Sequence, residues 1–192
     1  MIDTDIIFPE QFSRIRSRSE QINFSMPSDL QTGSILRTLV TSKPGGSFLE
    51  FGTGTGLSLS WIVEAMDEAS TVISIDNNEE YLSIARDFFD ADSRVSMICA
   101  DGNDWIKNNQ QKQFDLIFAD AWPGKYSSID EALLLLRKGG FYILDDMLYQ
   151  PNWPEGHQNN VDQLLDYLSS RTDIRLTKIK WSTGLVIITK IN

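Results

Sequence analysis

The stretch Leu49-Glu50-Phe51-Gly52-Thr53-Gly54-Thr55-Gly56 joins a short apolar run at 47–51 to a helical pattern that starts at Leu57. A glycine-rich turn between a strand and a helix lets backbone approach a ligand closely, since a side chain at Gly52 or Gly54 would fill that space. One glycine there is explained by chain reversal alone; three alternating glycines are explained less well that way. Downstream, short apolar runs alternate with helical patterns: strands at 71–75, 94–99, 114–119 and 141–144, and helices at 57–66, 79–89, 103–109 and 127–137. This alternation predicts a parallel α/β sheet. A loop rich in Pro, Asn, Trp and Gly at 150–160 leads to a helix over 161–170. The runs 173–181 and 185–190 then follow, separated by Ser182-Thr183-Gly184. Three residues are too few for a crossover helix, so the last two strands form an antiparallel hairpin.

Upstream of residue 47 the chain reads as helical. Ser28 and Gln31 fit a capping box, after which Leu30, Ile35, Leu36, Leu39 and Val40 form an apolar stripe closed by Lys43-Pro44-Gly45-Gly46. The reading is one domain over 1–192, with 1–46 as a helical segment able to serve as a lid and 47–192 as the ligand-binding core.

The 192 residues, 41% hydrophobic and 23% charged, suit one globular domain. The apolar runs are too short to cross a bilayer, and the first twelve residues carry acids where a secretory leader needs bases. A single cysteine, Cys99, builds neither an internal disulfide nor a cysteine metal cluster, so a reducing, cytoplasmic setting is expected. The net charge of −10 speaks against a nucleic-acid partner, because phosphate backbones bind clustered Lys and Arg. Residues 1–46 hold five acids and five bases, so the excess lies in the core. A membrane partner is not expected either, and a homodimer is compatible with the sequence.

Ligands of open parallel sheets bind beyond the carboxyl ends of the strands. At those ends stand Asp76-Asn77-Asn78, Asp101-Gly102-Asn103, Asp120 and Asp145-Asp146. Asp76 is placed to accept both hydroxyls of a ribose. Its competing use is as a cap for the helix at 79–89, a role that Asn77 can also fill. Counted from Gly52, a dinucleotide fingerprint requires glycine at 57, where Leu57 stands; the third glycine comes one residue early. Glu50 suits an ammonium or sulfonium better than a pyrophosphate. A cationic nucleoside is therefore favoured over a dinucleotide.

Taken together, the run 49–56, Asp76, the segment 100–104, Phe114–Trp122, the segment 135–146 and the closing hairpin resemble a class I S-adenosylmethionine-dependent methyltransferase over residues 47–192. The resemblance implies a Rossmann-like α/β fold: a mostly parallel seven-stranded sheet with helices on both faces and a C-terminal antiparallel hairpin. It implies that Gly52, Thr53, Gly54 and Gly56 pass the methionine part of S-adenosylmethionine, with Glu50 near its amino group. Asp76 and Asn77 would meet the ribose, Asp101, Gly102 and Asn103 the adenine, and Asp120 the methyl that moves.

Within that superfamily the chain is similar to the catechol and caffeoyl-CoA O-methyltransferases, which bind Mg²⁺ through an acid after the fourth strand and an Asp-Asn pair after the fifth. The matching positions here are Asp120, Asp145 and Asp146. Oxygen ligands suit a hard divalent cation, which would also acidify a bound hydroxyl. The catechol type carries a lysine three residues after the fourth-strand acid, where this chain has Pro123. Lys125, two residues on, either turns into the site or pairs with surface acids.

His157, the one histidine, lies in the loop after the fifth strand and is a candidate general base; the competing reading is an exposed residue near a helix start. Trp122, Tyr149 and Trp153 line a pocket for a planar or apolar acceptor or anchor these loops. Cys99, Trp61, Trp105, Phe88 and Phe89 read as packing residues, and Arg14, Arg16 and Arg18 as a solvated face. The expected function is methyl transfer from S-adenosylmethionine to a small-molecule oxygen, with Asp120, Lys125 and His157 as catalytic candidates. The rivals are a nitrogen acceptor, an NAD(P)-dependent oxidoreductase and a cofactor-binding protein without activity.

Overall fold

A computed structural model describes residues 6–151 and 153–192; Asp3 and Asp5, counted in the charge above, and Asn152 lie outside them. Helices α1 (Phe12–Gln21) and α2 (Leu30–Thr41) precede the alternating core. The core runs β1 (Ser47–Phe51), α3 (Leu57–Ala65), β2 (Thr71–Asp76), α4 (Glu79–Phe89), β3 (Val95–Cys99), α5 (Gly102–Asn108), β4 (Phe114–Ala119), α6 (Ile129–Leu134), β5 (Leu136–Leu144), α7 (His157–Ser170), β6 (Ile174–Ile179) and β7 (Leu185–Lys190). The seven strands lie in the order β3-β2-β1-β4-β5-β7-β6, parallel up to β5 and antiparallel at β7 and β6.

The order places β1 and β4 at the centre, where both faces must be apolar. Successive residues of β1 point to opposite faces. Phe48 joins Leu116, Phe118 and Ile143 in a cluster with Phe12, Ile15, Leu36, Val40 and Trp61 of α1–α3. Leu49 and Phe51 join Ile117, Tyr142 and Leu144 in a second cluster with Trp105, Leu133, Leu164 and Leu168 of α5–α7. Helices thus cover both faces, and the chain order reverses between β1 and β4, where the crevice for a ligand opens. Among the described residues no helix is long and apolar enough to cross a membrane.

Trp61, Trp105 and Phe89 are buried as expected. The arginines of α1 make exposed contacts, Arg16 with Glu20 and Arg18 with Asp87. Four expectations are corrected. The helix expected over 127–137 ends at Leu134, because the four-leucine run is divided: Leu135 and Leu136 are buried against the sheet and β5 begins at once, with a register shift opposite Phe114 and Leu116. The helix expected from 161 starts at His157. Cys99 is exposed, because β3 is the edge strand of the sheet and Cys99 is its last residue. No capping box forms at α2: Asp29 is the cap residue and its side chain makes no bond to the helix N–H groups, and the Ser28 hydroxyl goes to Asp120 instead.

Tyr142 ties the sheet to the loop after β4. Its buried hydroxyl donates to the Gly124 carbonyl at 2.5 Å. Tyr142→Phe leaves that carbonyl without this donor, at a cost of about 1–3 kcal/mol. Urea denaturation should show the loss as a lower midpoint at an unchanged slope; an unmoved midpoint would mean that water replaces the bond.

Candidate active site

The glycine turn takes its shape from its neighbours. Gly52 has φ 99°, and a Cβ there would stand 2.9 Å from the Asp120 carbonyl oxygen, so only glycine lets the ends of β1 and β4 come this close. Asp76 Oδ2 accepts from the Gly54 N–H at 2.8 Å, and Oδ1 accepts from the Asn78 N–H at 2.9 Å. The carboxylate therefore fixes the turn while standing at its mouth. Gly56 serves packing: at φ 93° it begins α3, and a Cβ would press on Ala85 at 3.0 Å.

Glu50 and Thr53 direct their side chains beneath the turn. Glu50 is fully buried beneath the turn and accepts from the Ser58 hydroxyl at 2.6 Å and from that of Ser74. Burial pushes its carboxyl up to about 7, against the pull of those two bonds. It braces the turn from below through these two serines. The Thr53 hydroxyl also turns inward, 2.6 Å from Ser74 Oγ, leaving its main chain to face the crevice.

A cleft of about 220 Å³ opens beyond β1, β2 and β3, lined by Phe51, Gly52, Asp76, Asn77, Asp101 and Gly102, with Trp122 and Pro123 from the loop after β4. Asp101 also caps α5, accepting from Asp104 N–H at 3.0 Å. The cap of α4 is Asn78, which leaves Asn77 free to face the cleft. Asn103 braces the loop after β4: its Oδ1 accepts from Ser127 at 2.7 Å and Ser128 at 3.0 Å.

On the other side of Asp120 lies a cavity of about 300 Å³ lined by Asp120, Asp145, Asp146, Gln150, Trp153 and Thr183, with Ser25, Met26, Pro27 and Ser28 as a further wall. Burial and the Asp145 charge raise the Asp120 carboxyl well above the usual range, against the opposing charge of Lys125. Burial raises Asp145 to about 6, moderated by hydrogen bonds from Thr183 Oγ1 at 2.6 Å and from the Asp146 N–H at 2.8 Å. Of the two readings for Lys125, the inward one holds: it is 4% exposed, and its charge acts on Asp120, Asp145 and His157. Its Nζ lies 5.1 Å from the Tyr126 ring centroid, a cation–π distance.

His157 is neither free nor in the cavity wall. Its Nε2 is 3.2 Å from the Tyr126 hydroxyl, and its ring packs on Trp153, Tyr126 and Trp122 at 4.5, 5.1 and 5.9 Å. Burial and the Lys125 charge lower its pKa, with Asp146 acting the other way. This aromatic group locks the loop after β4 to the loop after β5, and Tyr149 adds an exposed ring against Trp153.

Among the described residues no three Asp, Glu, His or Cys side chains are arranged to hold a metal ion. Asp120, Asp145 and Asp146, expected to hold Mg²⁺, share a cavity without forming such a cluster. Their mutual repulsion is offset in part by the buried Lys125, whose charge acts against the rise at Asp120 and Asp145. Gln150 and Thr183 escaped the sequence reading as cavity residues, and Ser28 reads there only as a helix cap. Thr183 lay in what read as a plain hairpin turn, and it reaches Asp145 because β7 pairs beside β5.

The sequence model of the O-methyltransferase family matches residues 10–191. A Mycobacterium leprae (strain TN) protein, whose name assigns it provisionally to the O-methyltransferases, is 30% identical over 134 residues, 67% of this chain and 59% of that protein. A Mycobacterium avium (strain 104) protein named in the same way is 29% identical over 117 residues, 58% of this chain and 53% of that one. The matched stretch thus spans less than two thirds of these curated relatives. Among solved structures, the O-methyltransferase from Bacillus cereus in complex with SAH aligns with a TM-score of 0.84 at 19% identity, covering 98% of this chain and 94% of that one. The O-methyltransferase TomG from Streptomyces achromogenes, involved in tomaymycin synthesis and solved with SAM, gives 0.84 and 19%, covering 98% and 93%. At that identity these two establish the shared fold.

Proposed function

Because this chain belongs to the O-methyltransferase family, we propose that it transfers the methyl group of S-adenosylmethionine to an oxygen of a small planar acceptor. The supporting observation is the pair of cavities on either side of Asp120 and Ala121: a cleft bordered by Asp76, Asp101 and Trp122, and a cavity bordered by three carboxylates and an indole. The donor, when bound, supplies a methyl group on a positively charged sulfur. Asp76 and Asn77 orient ribose hydroxyls, Asp101 and Gly102 border the base, and the close approach allowed at Gly52 admits the remainder to the side of Asp120.

Positioning is the main contribution of the chain, and good alignment of nucleophile and methyl carbon is worth up to roughly 7–11 kcal/mol. The acid cluster handles the proton. Asp145, raised to about 6, is a carboxylate able to accept from the acceptor hydroxyl, and Asp120, pushed upward by burial and the Asp145 charge, lines the same cavity. Lys125 stabilises the charge that develops, and Trp153 supplies a flat apolar wall.

Calorimetric titration with S-adenosylhomocysteine, with NADH as comparison, tests the cofactor. Saturable binding of the nucleoside alone is expected, and binding of NADH alone would reject the reading. An acceptor screen led by phenols and catechols, read by the mass of the methylated product, then separates oxygen from nitrogen transfer and turnover from mere binding. Asp76→Ala should weaken S-adenosylhomocysteine binding by roughly tenfold or more, because the ribose partner and the acceptor for Gly54 N–H are lost together. Unchanged affinity would exclude Asp76 from the ribose.

A further inference from the structure

The segment between α1 and α2, residues 22–29, lies over the carboxyl edge of the sheet and is fastened on both sides. Phe24 packs edge-on against Tyr81, with ring centroids 5.0 Å apart, and its ring stands 2.9 Å from where a Cβ of residue 54 would be. At the other end, Asp29 accepts a hydrogen bond from Ser182 in the β6–β7 turn. Between these fixings, Ser28 Oγ donates to Asp120 Oδ2 at 2.9 Å, a contact spanning 92 residues of sequence. The same segment walls the acid-lined cavity through Ser25, Met26, Pro27 and Ser28.

Asp120 is surrounded by groups that push or pull it without fixing its direction: Asp145 and Asp146 repel it and Lys125 attracts it. Among the described residues, Ser28 is the side chain that gives its carboxyl a directional bond. We infer that Ser28 is a positioning residue for methyl transfer, holding the Asp120 carboxyl in one rotamer toward the acceptor as the segment 22–29 closes that wall. The inference rests on the methyltransferase reading above. A carboxyl freed from such a bond samples other staggered rotamers, and small misplacements of reacting groups are costly in rate. Phe24 and Asp29 keep the segment in place when the bond is lost, so the fold does not depend on it.

The test compares wild type with Ser28→Ala and Ser28→Thr, using S-adenosylmethionine and catechol as substrates and S-adenosylhomocysteine in calorimetry. Ser28→Ala should lower kcat about tenfold, with KM for catechol and S-adenosylhomocysteine affinity within about twofold and an unchanged melting temperature. Ser28→Thr, which restores the hydroxyl, should recover at least half of kcat. Independently of any acceptor, amide exchange of Asp29 should quicken about fivefold in Ser28→Ala and Asp120→Ala but not in Asp120→Asn, which keeps an acceptor oxygen. Unchanged exchange in Ser28→Ala, or equal loss of kcat and nucleoside affinity without rescue by threonine, overturns the inference and leaves the methyltransferase reading intact. Failure of the wild type to bind S-adenosylhomocysteine overturns that reading and this inference with it.

Discussion

Asp120→Asn is expected to lower turnover roughly 100- to 1,000-fold while S-adenosylhomocysteine affinity stays within a few fold. The asparagine matches the aspartate in shape and keeps an oxygen for Ser28, so the wall of the cavity stands. It has no ionisable group, so the acid pair that Asp120 forms with Asp145 in the cavity is reduced to one. The cleft lined by Asp76, Asp101 and Trp122 does not include the Asp120 side chain, which is why binding and turnover should separate. The readout is the initial rate of S-adenosylhomocysteine formation at saturating donor, set beside a calorimetric titration. Turnover within threefold of wild type would remove Asp120 from the chemistry, and a parallel collapse of affinity would make it a structural residue.

The second large effect concerns Glu50 and is a matter of stability. Its carboxyl rises from an ordinary value near 4.5 to about 7 in the folded chain, chiefly through burial. Between those values the folded state binds a proton that the unfolded state has released. The stability this lends is complete below about pH 4.5 and is lost as pH rises through 7, an amount of about 3 kcal/mol for the full shift. Glu50→Gln keeps a neutral group of the same shape, and Ser74, which also meets Thr53, can accept from the amide and donate onward. Urea unfolding from pH 5 to 8 should therefore show wild type losing about 2–3 kcal/mol relative to the glutamine variant, since part of the full shift already lies below pH 5. Parallel curves would mean that Glu50 does not titrate in this range.

Some elements could be read from sequence to the residue. The helix at 79–89 and the strand at 114–119 stand where periodicity put them, because each has one apolar pattern and clear flanking signals. The four-leucine run at 133–136 has no such uniqueness. Apolar residues suit the end of a helix and the start of a buried strand equally, and only pairing with Phe114 decided where one became the other. Cys99 misled for a related reason: an apolar strand reads the same at the edge of a sheet as at its centre, and position in the sheet is a long-range property.

By itself the sequence determined the alternation of strands and helices, the closing hairpin, and the acids and glycines at the strand ends, since each depends on residues near one another in the chain. From these follow the parallel sheet, the crevice beside β1 and the place of Asp76, Asp101 and Asp120. Tertiary structure decided which of those groups face the crevice. It sent Glu50 and Thr53 beneath the turn, turned Lys125 inward past Pro123, put His157 in an aromatic group, and carried Ser28 across the sheet to Asp120. Such directions are set by burial and by partners distant in sequence, where competing hydrogen bonds differ by about 1 kcal/mol and packing chooses between them.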